Sequence, residues 1–95
     1  MTYTDNRRDS NEAELVAFWR AAGCLWIPMN RLAGFDGLLI HQGKMFIVEV
    51  KNPGGFIYTH KEITRMLELE DADITYNVVQ TVQDAARLIG LEVSE

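Results

Sequence analysis

Cysteine is all but missing from this chain of 95 residues: Cys24 stands alone, so no intramolecular disulfide can form and an apolar core must hold the fold. Pro28 and Pro53 are the only prolines, and no Pro-rich, Gly/Ser-rich or repeated tract marks a linker or a second domain. Histidine is scarce too; His41 and His60 have no partners at metal-ligand spacing, which argues against a histidine-built zinc centre. No apolar run approaches the ~20 residues of a membrane-spanning helix. Positive charge is in short supply, with 9 Lys/Arg against 14 Asp/Glu and a net charge of −5, so bulk charge alone would not hold nucleic acid. Met1 is followed by polar and charged residues instead of a signal peptide, and the expected location is the cytoplasm. Residues 1–8 are expected to be a flexible arm, on which Arg7 and Arg8 are solvated, and residues 9–95 a single domain.

Against these absences stands one concentrated segment, Gly34 to Lys51. Apolar residues dominate both halves, and Gln42-Gly43 between them is a two-residue hairpin turn in which glycine supplies the positive φ. Register then follows by counting: His41 faces Lys44, Ile40 faces Met45, and Asp36 faces Glu49. Facing residues of antiparallel strands have Cβ atoms ~4.5–5.5 Å apart on one side of the sheet. Lys51 emerges on the same side as Glu49, while Val48 and Val50 point the other way.

Two facing carboxylates repel, and the run Phe46-Ile47-Val48 before Glu49 implies a buried central strand, where unpaired charge is costly. A divalent cation would compensate them. Mg²⁺ takes oxygen ligands, typically one or two carboxylates plus water and substrate phosphate, and a lysine beside it can orient an attacking water or offset charge building on a phosphate. Asp36, Glu49 and Lys51 fit that division of labour. The plainer alternative is an exposed Glu49–Lys51 ion pair with Asp36 opening a turn.

Glu12 is the other carboxylate in an unusual setting. At 100° per residue, Leu15, Val16 and Trp19 fall within about 60° of it, whereas Glu14 lies roughly 160° away. Glu12 therefore faces inward, either as a metal or water ligand or as the second half of a capping box with Asp9. Thr59-x-x-Glu62 and Thr81-x-x-Asp84 are further capping boxes, and Gly90 is a helix-ending C′ glycine. Trp19 and Trp26 are assigned to the core.

These residues resemble the PD-(D/E)xK nuclease superfamily. The likeness is strongest to minimal stand-alone virus-type replication-repair nuclease (VRR-Nuc) domains and more distant to archaeal-type Holliday junction resolvases. It rests on Gly34-Phe35-Asp36, the tripeptide Glu49-Val50-Lys51, the preceding helix with Glu12 and Gly23, and the order that follows: Gly54-Gly55, a Thr-capped helix, a strand and a last helix. Phe35 stands where the family has proline, and Glu62 where it often has glutamine. The resemblance implies an α/β, restriction-endonuclease-like α-β-β-β-α-β core with a mixed central sheet and a closing C-terminal helix. The expected elements are helix 9–22, strands 25–29, 35–41 and 45–51, helix 59–70, strand 74–79 and helix 81–89, with a right-handed crossover through the second helix.

It further implies a Mg²⁺-dependent DNA endonuclease, with Mn²⁺ able to substitute, acting on branched or junction DNA in a phage or mobile-element setting. Metal ligands would be Asp36, Glu49, the Val50 backbone carbonyl and Glu12; the catalytic set would be Asp36, Glu49, Lys51 and Glu12. Charge distribution makes a DNA substrate plausible, because residues 1–66 carry eight Lys/Arg and seven Asp/Glu while residues 67–95 carry one and seven. Arg31, Lys44, Lys61 and Arg65 are the candidate phosphate contacts. A homodimer is expected, because Ala13, Ala17, Phe18 and Ala21 make the first helix apolar beyond its inward stripe. Two alternatives remain: a non-catalytic nucleic-acid-binding or assembly module of the same fold, and a restriction or repair nuclease acting on unbranched DNA.

Overall fold

In the computed structural model, which describes residues 11–91, the elements follow the order α1 (Glu12–Ala21), β1 (Leu25–Pro28), a 3-10 turn at Arg31–Ala33, β2 (Gly37–His41), β3 (Lys44–Val50), α2 (His60–Asp71), β4 (Tyr76–Val79) and α3 (Val82–Leu88). The result is a small α/β domain with one mixed sheet in the order β1-β2-β3-β4. The first three strands form an antiparallel meander, and β4 joins β3 in parallel after the α2 crossover. The expected arm at residues 1–8 and the capping role of Asp9 lie outside the described residues.

The hairpin has the register that counting gave, with Gly37 opposite Val48 and His41 opposite Lys44. Its turn needs positive φ at both positions, and Gln42 (φ 51°) adopts it alongside Gly43 (φ 80°), as a type I′ turn requires. Alternation then sorts the sheet into two faces. Trp26, Leu39, Val48, Val50 and Val79 form one, all buried against Leu15, Val16 and Trp19 of α1 and Ala85 of α3. The Trp19 and Trp26 rings stack 5.3 Å apart, and the Trp19 indole N–H donates to the Ala85 carbonyl at 3.0 Å. Both tryptophans are core, as expected. Glu49 and Tyr76 lie on the opposite face, where α2 packs against β4.

All three helices end in a Schellman motif, with the C″ N–H returning to the C3 carbonyl. The bonds are Cys24 to Trp19, Ile74 to Leu69 and Leu91 to Ala86. Gly23 and Gly90 take the left-handed C′ position in α1 and α3, but in α2 it is Asp73, at φ 61°. This explains why β4 begins at Tyr76 and not at residue 74: Ile74 belongs to the helix closure.

The start of α1 also differs from the expectation of a helix from residue 9. Glu12 is its first residue and Asn11 its N-cap, without a side-chain capping bond. The Asn11 amide instead donates to the carbonyls of Lys51 (3.1 Å) and Gln80 (2.8 Å), tying the helix to the ends of β3 and β4. Glu12 therefore occupies the first helical position and not the third, where a capping box would need it. The boxes at Thr59/Glu62 and Thr81/Asp84 are both formed.

Candidate functional site

Among the described residues, three charged side chains are buried: Glu12, Glu49 and Lys51. They are residues that the sequence singles out for chemistry, and two sit on the central strand and its immediate end. The fold places a fourth beside them. Asp36 precedes β2, its backbone N–H donates to the Val48 carbonyl at 2.9 Å, and its carboxylate accepts the Val50 N–H at 2.7 Å. An acid of one strand is thus held against the backbone between Glu49 and Lys51 of its neighbour.

Two close fits set this geometry. Gly37 lies flat against Trp26, where a Cβ would come within 2.5 Å of the indole and 2.8 Å of the Ile27 carbonyl. Gly34, at φ 79°, lets the loop before Asp36 approach α2, since a Cβ there would fall 2.7 Å from Arg65 Cβ. The Tyr76 hydroxyl donates to the Gly34 carbonyl at 2.7 Å, pinning the same loop to β4.

Around Lys51 the partners are explicit. Its Nζ lies 3.3 Å from Glu49 and 2.8 Å from Glu62, donates to the Ile57 carbonyl at 3.1 Å, and sits 5.4 Å from the Tyr58 ring and 5.8 Å from the Phe56 ring. Burial acts to lower the ammonium's pKa, but the hydrogen bond to Glu62 and the charges of Glu49 and Glu62 outweigh it, leaving the pKa above its ordinary value. Lys51 is therefore a cation at neutral pH. A held cation suits orientation and charge compensation.

The carboxyls behave oppositely to one another. Glu49 is pushed up to about 9, first by burial, then by the Asp36 charge and by its hydrogen bond with Glu62, with Lys51 only partly offsetting these. Burial also acts on Glu62, but its bonds to Lys51, the Thr59 N–H and Glu49 win, and its pKa falls below the ordinary value. Burial thus favours the neutral form of Glu49, while its partners favour the charged form of Glu62. Tyr76 is raised by burial and by the charges of Glu49, Glu62 and Asp36.

Not every candidate joins this cluster. Glu12 is buried at the start of α1, and among the described residues no three His, Cys, Asp or Glu side chains close into a metal-holding group. Asn11 nevertheless brings the start of α1 against the Lys51 backbone. Among the basic residues, Arg65 lies beside Gly34, and Lys61 is exposed in the first turn of α2. Arg31 is exposed in the 3-10 turn of the loop leading to Asp36. Lys44 is at the far end of β3, roughly 20 Å of extended strand from Lys51, and so stands apart from the site.

Two features escaped the sequence reading. Glu62 reads from sequence as a helix cap at a position where the family often has glutamine, and its contact with Lys51 spans a loop whose course no local pattern dictates. His41 has a partner after all: its Nδ1 lies 3.4 Å from the Cys24 sulfur. Burial pushes that thiol's pKa up, so the pair packs between β1 and β2 without an activated thiolate.

Comparison with family models, with curated proteins and with solved structures finds no match. Among the described residues, no helix is long and apolar enough to cross a membrane.

Proposed function

We propose that this domain is a metal-dependent DNA nuclease of the PD-(D/E)xK type, with a restriction-endonuclease-like core and junction or branched DNA as its substrate class. The observation that carries the reading is the juxtaposition of Asp36 with Glu49-Val50-Lys51 at one end of the sheet, where burying charge needs a compensating purpose.

The donor set fits a hard cation. Asp36 and Glu49 offer oxygens, and burial first, then the Asp36 and Glu62 carboxylates beside it, push the Glu49 pKa up, a cost a divalent ion would offset. Asp36, Glu49 and the Val50 carbonyl would hold Mg²⁺ or Mn²⁺, with Glu12 acting through water from the α1 side. When bound, such an ion supplies Lewis-acid polarisation of the phosphate and a more acidic water. Lys51, held as a cation beside Glu62, orients the attacking water and offsets charge on the phosphorane. Arg31, Lys61 and Arg65 flank the approach, giving weak, salt-sensitive binding by so few positive charges.

A homodimer belongs to the same proposal, because two sites related by a two-fold axis can address two strands of a junction. The surface for it shifts, however. Exposed large apolar side chains gather less on α1, where Phe18 packs against the core, than on the open sheet face carrying Leu25, Ile27 and Met45. Sedimentation analysis of the wild type and of Met45→Glu tests this: a dimer converted to monomer is expected.

The test of the activity compares four-way-junction, plasmid and linear duplex DNA in Mg²⁺ and Mn²⁺. Preferential junction cleavage supports the reading. Equal cutting of linear duplex favours a restriction or repair enzyme, and binding without cutting favours a non-catalytic module.

A further inference from the structure

We propose that Glu62 is a positioning residue that fixes the Lys51 ammonium in the site, a role separate from its capping of α2. A single oxygen performs both tasks: Glu62 Oε1 accepts from Lys51 Nζ at 2.8 Å and from the Thr59 backbone N–H at 2.9 Å. The Thr59 hydroxyl completes the box by accepting from the Glu62 N–H at 3.1 Å.

Geometry makes the second role more than incidental. Lysine has four rotatable carbons and three donors, and here Glu49, Glu62 and the Ile57 carbonyl take those donors. Glu49 sits on Lys51's own strand end and Ile57 in the loop Lys51 leads into, so Glu62 alone ties the ammonium to a different element, α2. Because the Thr59 backbone N–H, which survives loss of the Thr59 hydroxyl, holds Glu62 Oε1, the ammonium is aimed by the helix start. That arrangement limits where the charge can point, as positioning of a group against a reacting phosphate demands.

The consequence for catalysis rests on the nuclease reading, but the placement of Lys51 does not, so the test has two arms. In the first, lysine acylation by an N-hydroxysuccinimide ester is followed by mass spectrometry at Lys51, with the exposed Lys44 and Lys61 as internal references. Glu62→Ala is expected to raise labelling of Lys51 by about tenfold relative to them, the scale of one lost hydrogen bond to a charged group. Thr59→Ala, which breaks the cap but leaves the carboxylate, should leave it within about twofold, and Glu62→Gln, which keeps an acceptor, should fall between. Equal labelling in Thr59→Ala and Glu62→Ala would reduce Glu62 to a helix cap and overturn the proposal, as would no increase in either.

The second arm measures DNA cleavage. Glu62→Ala is expected to lower kcat by about tenfold with KM unchanged, with partial rescue in Glu62→Gln and near-normal turnover in Thr59→Ala. A parallel loss in Glu62→Ala and Thr59→Ala contradicts the proposal. If the wild type cuts no DNA, the nuclease reading fails and the labelling arm still decides the role of Glu62.

Discussion

The Asp36 carboxylate accepts the Val50 backbone N–H at 2.7 Å, a bond that joins the residue before β2 to the one between Glu49 and Lys51. It fixes the spacing of the two acids through the backbone of β3. An acid so held is preorganised, and its contribution to binding a cation costs little rearrangement.

Asp36→Asn should therefore weaken Mg²⁺ binding far more than it weakens the fold. The amide still presents an oxygen to Val50 N–H, so a stability loss of only about 1 kcal/mol is expected. Calorimetric titration with Mg²⁺ should show affinity falling at least about tenfold, with a smaller loss for Glu12→Gln. Equal effects of the two would place Glu12 among the direct ligands.

Lys51→Ala leaves Glu49 and Glu62 without their shared ammonium, and removing one partner of a buried pair ordinarily costs several kcal/mol. Burial and the Asp36 charge already favour the neutral form of Glu49, so the loss should be milder, about 1–3 kcal/mol by thermal or urea unfolding. Cleavage should drop by at least about a hundredfold. A folded Lys51→Ala variant with wild-type turnover would remove lysine from the mechanism.

The pH dependence has a definite sign. Glu49's pKa rises from 4.5 to about 9 on folding, so its contribution to stability is full below the ordinary carboxylate value and is lost as pH climbs toward 9. Wild type should lose stability relative to Glu49→Gln across that window in the absence of metal. Mg²⁺ must displace the proton, so its affinity should rise with pH over the same range, with proton release detectable in buffers of different ionisation enthalpy. A flat profile from pH 5 to pH 9, as order-of-magnitude limits of the carboxyl's transition, would contradict this.

Gly37→Ala probes the scaffold beneath the site. Its added methyl would collide with the Trp26 ring, an overpacking expected to cost about 1–3 kcal/mol. Because Gly37 follows Asp36, Mg²⁺ affinity should fall with it. A neutral effect on both would mean that β1 yields more easily than the Trp19–Trp26 stack suggests.

Much of this arrangement was legible in the sequence because it is local. The Gln42-Gly43 turn sets the hairpin register, and register with alternation puts Asp36 beside Glu49 and sends Val48 and Val50 into the core. Helical spacing likewise placed Glu12 inward and Glu14 outward. What escaped depended on long-range geometry or on an atypical residue. Asp73 ends α2 in a conformation usually marked by glycine, so the following strand was drawn two residues too long. Asn11 gave up its cap to bond Lys51 and Gln80, contacts 40 and 69 residues distant. Glu62 reaches Lys51 only through the path of the loop between Asn52 and Tyr58.

Nicking of supercoiled plasmid in Mg²⁺, followed for the wild type, Asp36→Asn and Lys51→Ala with an EDTA control, is the most direct measurement of whether Asp36, Glu49 and Lys51 hydrolyse DNA. Wild-type nicking that disappears with EDTA and in both variants is the expected result. Nicking that survives in folded Asp36→Asn and Lys51→Ala, or a wild type that leaves plasmid and junction DNA intact in both Mg²⁺ and Mn²⁺, would contradict it.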